Sequence, residues 1–385
     1  MKIININRKV SSQLFMAIGL FGLTACQSIN TSNEKTSSTV SNEAPVAMAS
    51  ITSWTQSDFA NAEPMPMPIS SGTVADMKLL GARSELVLDA SISEEGRDGS
   101  GSMAAAQNIF DVSVLPISRV TQPLAVGSRG AYYSSSRLIP QSARLSYPYR
   151  TIGKIFFKKQ DGSTRVCSGS VIKKRLIATA GHCVHLGTGG ENGYYKDILF
   201  VPAYSSNGTQ APYGIWSATW YKAAPSWVSG GGTVPNSADF AIIKVGDQEI
   251  DGEMKSIAEM IGHLGYKTNA LSTNHIKMLG YPGALDNGQI MHQVDSGNSE
   301  AAGSGTVLYG SDLTEGSSGG PWVQNFGIKA TGQPSAGDDE MNRLVGIMSY
   351  VFVANEPKVA GSSILNSEFT TLLSEACAES AGNCD

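Results

Sequence analysis

From Tyr147 onward the chain is a succession of short apolar or alternating runs, "YPYRTIGKIFFKK", "VCSGSVI", "RLIATA", "DILFVPAY", "DFAIIKV", "IKMLGYP", "GTVLYG" and "LVGIMSYVF", separated by Gly, Asn and Pro. Strands this short, with turn residues between them, predict an all-β sandwich or a pair of barrels. Glycine at 42 residues and only 16% charged residues fit many turns rather than long surface helices. Near the end, "SEFTTLLSEAC" places Phe369, Leu372 and Leu373 at the spacing of one short amphipathic helix. No internal repeat is visible. A length of 385 residues allows one large domain with accessory segments as readily as two domains.

The N-terminus reads as a processing segment rather than as part of a fold. Lys2, Arg8 and Lys9 precede an apolar run from Leu14 to Ala25, long enough for a secretory signal and too short to span a bilayer. The run ends in "LTAC", which resembles the lipobox of bacterial lipoproteins, so residues 1–25 are expected to be removed and Cys26 to carry the lipid. An ordinary signal peptide with a chance cysteine is the alternative. Gln27 after the cysteine resembles the outer-membrane sorting pattern, which applies if the host has two membranes. Residues 26–73, rich in Ser, Thr, Asn and Ala and ending near "EPMPMP", read as a disordered tether. Residues 74–149 read either as a pro-segment or inhibitory flap, or as an extension of the tether. The folded domain is expected over 150–377, with 378–385 as a tail.

A net charge of −5, from Lys+Arg 28 against Asp+Glu 33, shows no basic bias and argues against nucleic acid as a partner. Export implies an oxidising compartment, so the four cysteines besides Cys26 read as disulfides before they read as ligands. Four cysteines allow three pairings. The local one, Cys167–Cys183 with Cys377–Cys384, is the natural choice, and closing the first loop is worth on the order of 3 kcal/mol. A metal site is the weaker reading, because no Cys-x-x-Cys pair occurs and the other histidines are scattered.

Two stretches carry the chemistry. In "TEGSSGGPWV" a glycine-rich turn exposes Ser318 to close approach, and the N–H groups of Gly316 and Ser318 can converge in front of its hydroxyl as an oxyanion hole. A serine hydroxyl needs a base, and "IATAGHCV" offers His182. That imidazole needs an acceptor for its other N–H. Asp239 in "SADFAIIKV" suits this, an aspartate after a turn and before a buried run. Asp197, Asp247, Asp251, Asp286 and Asp295 also lie between His182 and Ser318 but lack that context.

"CSGSVIKKRLIATAGHC", "DFAII" and "GSSGGP" resemble, in order, the three signature regions of the trypsin- and chymotrypsin-like serine proteases, over about Arg150 to Cys377. The resemblance implies a double antiparallel β-barrel with a His182–Asp239–Ser318 triad between the barrels, and a disulfide bracketing the histidine. Ser317 stands where animal zymogens have an aspartate, so the ion pair that a buried N-terminal ammonium makes there cannot form. In this the chain is similar to the bacterial branch near the glutamyl endopeptidases. A maturation cut near Arg150 is one expectation.

Asp312, six residues before Ser318, stands where trypsins hold a basic substrate side chain, or else is a structural carboxylate. "GIMSYVF" aligns Ser349 and Tyr350 with the substrate-binding strand and places the branched Val351 where trypsins have glycine. Met348 falls where glutamyl endopeptidases have a histidine, so substrate preference stays open. The expectation is an exported, lipid-anchored, monomeric serine endopeptidase acting on polypeptides, with no cofactor and no metal, in the cell envelope or released after processing. The alternatives are a binding protein on an inactive protease scaffold and an esterase using the same triad.

Overall fold

The computed structural model describes residues 51–76, 90–103, 109, 124–127, 131–272, 274–297, 299–303, 305–329, 340–352 and 358–385. The signal run, the lipobox with Cys26 and the tether up to residue 50 lie outside the described residues. So do 77–89 and 110–123, within the segment expected to be a pro-segment or extension.

Two antiparallel sheets carry the protein. In the first, the strands Thr164–Val171, Ile152–Lys158, Lys196–Pro202, Trp216–Ala223, Ala241–Val245 and Leu176–Thr179 pair in that order, and the last pairs back onto the first to close a barrel. Strand alternation explains the core. On Ile152–Lys158, Ile155 and Phe157 point into the barrel with Trp216, Ile177 and Ile243, while Phe156 points outward with Leu199 and Tyr204. The second sheet runs Ser299–Gly303, Thr306–Gly310, Val359–Ile364, Arg343–Phe352, Pro321–Gln324, Ile276–Gly280, His292–Ser296, Tyr133–Arg137 and Leu124–Val126. It curls around Trp322, Met278, Val294 and Tyr309, and no pairing among the described residues joins its two ends. The expected pair of barrels is therefore one closed barrel and one half-barrel.

Two boundaries differ from the sequence reading. Tyr133–Arg137 lies between two other strands of the second sheet, so the folded domain starts well before residue 150. Arg150 is 8% exposed, bonded to the carbonyls of Ile261 and Gly99 and to Asp98, which hides it from a maturing protease. A cut there would also part Tyr133–Arg137 from the rest of the chain.

The second difference lies in the expected tether. Phe156 on the outer face of the barrel would be an exposed aromatic patch, and residues 51–60 cover it. Thr55 and Asp58 form a capping box that starts the short helix Gln56–Ala60, turning Phe59 onto Phe156 with ring centroids 5.2 Å apart. Trp54 packs beside them and donates its indole N–H to the Asp197 carbonyl at 2.8 Å. Beyond this anchor, Glu63–Pro64 pairs with the first sheet and Ile69–Ser70 with the second. Residues 51–70 are part of the fold.

The C-terminal helix forms as its spacing predicts. Ser367–Glu379 is capped by the Asn366 side chain, which accepts from the Glu368 and Phe369 N–H groups, and it buries Phe369, Leu372, Leu373 and Ala376. Disulfides join Cys167 to Cys183 and Cys377 to Cys384, the local pairing. The second ties the segment after the helix back onto it, and Asn383 there is 1% exposed.

Candidate active site

The barrel register brings the first two candidates together. Leu176–Thr179 and Ala241–Val245 are neighbours, with Ala241 opposite Thr179. The short 3₁₀ turn Gly181–Cys183 follows the first strand and Asp239 precedes the second, so His182 and Asp239 emerge at the same barrel end. Asp239 is fully buried and is held by donors. Its Oδ1 accepts the His182 backbone N–H at 2.9 Å, and its Oδ2 lies 2.8 Å from His182 Nδ1. The Ser349 hydroxyl donates to Oδ2 at 2.5 Å. A buried carboxylate with three donors is compensated for its lost hydration, and it fixes the imidazole with Nδ1–H toward Asp239 and Nε2 free to accept.

The third candidate arrives from the half-barrel. The Ser318 carbonyl accepts from the Ser168 N–H at 2.8 Å, and the Ser168 hydroxyl donates to the Gly316 carbonyl at 2.9 Å. Both bonds tie the serine loop to a barrel strand. The loop needs its glycines. Gly319 has φ +80°, and a Cβ there would sit 2.0 Å from Thr179 Oγ1 and 2.4 Å from the Ser168 carbonyl oxygen. Gly316, at φ +84°, would meet the Tyr281 carbonyl oxygen at 2.7 Å. Gly319 thus packs directly beneath Thr179 and Ala180, just ahead of His182. Ser317, in place of an aspartate, is buried and donates its hydroxyl to the Thr314 carbonyl.

One feature of this junction is unusual. His182 Nε2 and Ser318 Oγ are both buried and neither has a hydrogen-bond partner. The residues themselves are 3% and 0% exposed. The protein's own chain lies against the serine loop: Pro64 packs against Gly316 and Gly283, and the Met65 carbonyl accepts the Gly316 N–H at 3.3 Å.

The remaining candidates separate. The Ser349 hydroxyl is committed to Asp239, so only the main chain at this position is left to meet a substrate. Tyr350 points to the opposite face of its strand, fully buried against Gly361, with its hydroxyl 3.0 Å from Thr306 Oγ1. The pairing onto Val359–Ile364 slips between Met348 and Tyr350, and this irregularity accompanies the turn of Ser349 toward Asp239. Val351 does line a cavity of about 320 Å³ beside the serine loop, together with Asp312, Leu313, Pro66 and Met67. Asp312 accepts the Ser135 hydroxyl at 2.6 Å through Oδ2, while its Oδ1 is buried without a partner. Sequence reasoning missed Ser349 as a holder of Asp239, and a lone serine inside the apolar run "GIMSYVF" was the available signal. It also missed Ser168. Cys167, His182 and Cys183 cluster within 4.8 Å, but the disulfide consumes both sulfurs as ligands.

Comparison with known proteins places these features. Residues 167–327 match the trypsin-like peptidase domain. An extracellular metalloprotease of Bacillus subtilis (strain 168) is 28% identical over 133 residues, 34% of this chain and 37% of that protein. A glutamyl endopeptidase of Bacillus licheniformis is 29% identical over 140 residues, 36% of this chain and 38% of that protein. The chain thus spans less than two fifths of the length of the relatives it matches. Among solved structures, the protease Anisep from Arthrobacter nicotinovorans matches 60% of this chain and 96% of its own at 28% identity, with a TM-score of 0.47. A Glu endopeptidase in complex with MPD matches 66% and 99% at 21% identity, also with a TM-score of 0.47. Residues 167–327 are thus similar to the trypsin-like peptidase domain, and about a third of the chain is similar to a glutamyl endopeptidase.

Proposed function

We propose that this protein is an exported serine endopeptidase in which Ser318 is the nucleophile, His182 the general base and acid, and Asp239 the carboxylate that orients the imidazole. The observation that carries the reading is the buried chain Ser349–Asp239–His182, which ends on an unpartnered Nε2 beside the Ser318 loop. With Asp239 accepting from Nδ1, the lone pair on Nε2 can take the Ser318 proton as Oγ attacks a peptide carbonyl carbon. The carbonyl oxygen then gathers negative charge, which the N–H groups of Gly316 and Ser318 receive, each such donor being worth ~10²–10³ in rate. Collapse breaks the C–N bond, the imidazolium passes its proton to the leaving amine, and water repeats the sequence on the acyl-enzyme. This chemistry needs no cofactor.

Polypeptides are the substrate class. Asp312 is the residue proposed to meet the substrate side chain, since its unpartnered oxygen and its place in the wall of the 320 Å³ cavity fit a pocket acid better than a structural one. Val351 narrows the same cavity. Export rests on the apolar N-terminal run and on two disulfides, which persist in oxidising compartments. No described helix is long and apolar enough to cross a membrane. The lipid on Cys26 supplies the proposed membrane attachment, and lipid incorporation lost in Cys26→Ser would test it. The function is tested by fluorophosphonate labelling of processed protein and by cleavage of a peptide library. Both signals should vanish in Ser318→Ala, and a chain that neither labels nor cleaves once its cleft is open refutes the reading.

A further inference from the structure

The segment "EPMPMPIS", Glu63 to Ser70, reads as part of a tether, yet it lies across the junction of the two sheets. Its upstream end pairs in parallel with the barrel strand Thr164–Val171, and the Met65 N–H donates to the Val166 carbonyl at 2.9 Å. The Met65 carbonyl then takes the Gly316 N–H, one of the two donors proposed for the oxyanion. Three residues on, the Pro68 carbonyl takes the Val351 N–H at 3.1 Å, and Ile69–Ser70 continues in parallel along Val351 and Phe352. Alternation sends Met65 against the barrel core and Met67, 6% exposed, into the half-barrel core beside Leu313 and Met348. Both ends are fastened. Trp54 and Phe59 anchor the upstream side, and downstream Val74 is buried with Tyr350 and Phe352.

We infer that Glu63–Ser70 is an autoinhibitory strap, which fills the substrate cleft and keeps the folded chain latent until it is released. This rests on reading Ser318 as the nucleophile. The strap lies on the Ser318 loop, occupies an oxyanion donor and uses the main-chain donor of the strand that the family resemblance assigns to substrate. Its direction protects it from the triad. A peptide undergoing acylation presents the residues before its scissile carbonyl to the substrate strand, whereas here the residues after the Met65 carbonyl lie there. Pro64, Pro66 and Pro68 remove every second N–H, so few backbone groups of the strap can pair with either sheet. A proline-interrupted segment of this kind binds an edge without being able to extend the ladder, and that suits a cover that must leave.

The test compares the full chain with Met67→Asp, which puts a charge into the apolar site near Asp312, and with Trp54→Ala/Phe59→Ala, which loosens the upstream anchor. Neither variant alters the proposed machinery. The rate of fluorophosphonate labelling at Ser318 should rise about 100-fold in both, as expected for a cleft that the strap leaves open about 1% of the time. A synthetic peptide of residues 62–72 should slow labelling of the opened variants. Equal labelling of parent and variants overturns the strap, as does cleavage at Met65–Pro66 in the parent that is absent from Ser318→Ala. If no form labels, Ser318 as nucleophile fails, and hydrogen exchange decides the strap separately. Protection of the Met65 and Val351 amides that is lost in the variants supports it, and equal exchange overturns it.

Discussion

Asp239→Asn tests the proton logic at single-atom resolution. All three groups that meet the Asp239 carboxylate are donors in this structure: the His182 backbone N–H at Oδ1, and His182 Nδ1 and the Ser349 hydroxyl at Oδ2. An asparagine must place its NH₂ at one of those positions. At Oδ1 it would face a backbone N–H that cannot reverse its polarity, and two buried donors would oppose each other. At Oδ2 it faces two partners that can adapt, because the serine hydroxyl can rotate to accept and the imidazole can move its proton from Nδ1 to Nε2. The second arrangement is lower in energy, and it leaves Nε2 protonated and unable to take the Ser318 proton. The fold should survive, since each bond has a replacement. The expected outcome is a fall in kcat of ~10⁴ with KM nearly unchanged, measured on a peptide amide in the Met67→Asp background, with thermal unfolding confirming the intact fold. A loss of less than tenfold would refute the assignment of Asp239 as the group that sets the tautomer.

Lys154 is buried on the outer face of the first barrel, where its ammonium lies over the Phe156 and Tyr204 rings and donates to the Gly288 carbonyl at 2.9 Å, and it is pushed down to about 7 by burial. Between that value and the ordinary lysine range the unfolded chain binds more protons than the folded one, so this group makes stability rise with pH across that window. The stability of Lys154→Met relative to the parent should therefore be greatest near pH 6 and decline toward pH 10 in urea titrations, and a difference independent of pH would contradict the buried lysine. Removing the Cys167–Cys183 bridge by the double substitution to alanine should cost about 3 kcal/mol of unfolding free energy, read from the urea midpoint, and should loosen the turn carrying His182. Gly319→Ala places a methyl group 2.0 Å from Thr179 Oγ1 at a positive φ, so it should abolish fluorophosphonate labelling in the strap-opened background even where soluble protein is obtained.

The parts of the site that the sequence made legible share one property: each sits where a periodic apolar run meets a turn. His182 follows "LIAT", Asp239 precedes "AIIKV" and Ser318 lies in a run of glycines, so pattern and chemistry change together at each position. The short strands and the C-terminal helix were legible for the same reason, while the closure of those strands into a barrel was implied by the family resemblance alone. What pattern could not supply is which face of a strand looks at what. Ser349 and Tyr350 are consecutive in an apolar run buried on both faces, and only the coordinates show one holding Asp239 while the other turns away.

The N-terminal segment escaped for a different reason. Its stability comes from partners about 100 residues downstream: Phe59 needs Phe156, Met65 needs Val166, and Pro68 finds Val351 still farther along. None of these contacts leaves a local period, and alternate prolines suppress the ladder signal that a strand normally gives. A composition that resembles a linker can thus encode a ligand for the chain's own cleft. The same absence of regular pairing that hides the segment in the sequence limits how tightly the cleft can hold it, since few of its backbone groups can bond. Latency and release then follow from one property, a cover bound through a handful of main-chain bonds and two buried anchors rather than a full strand.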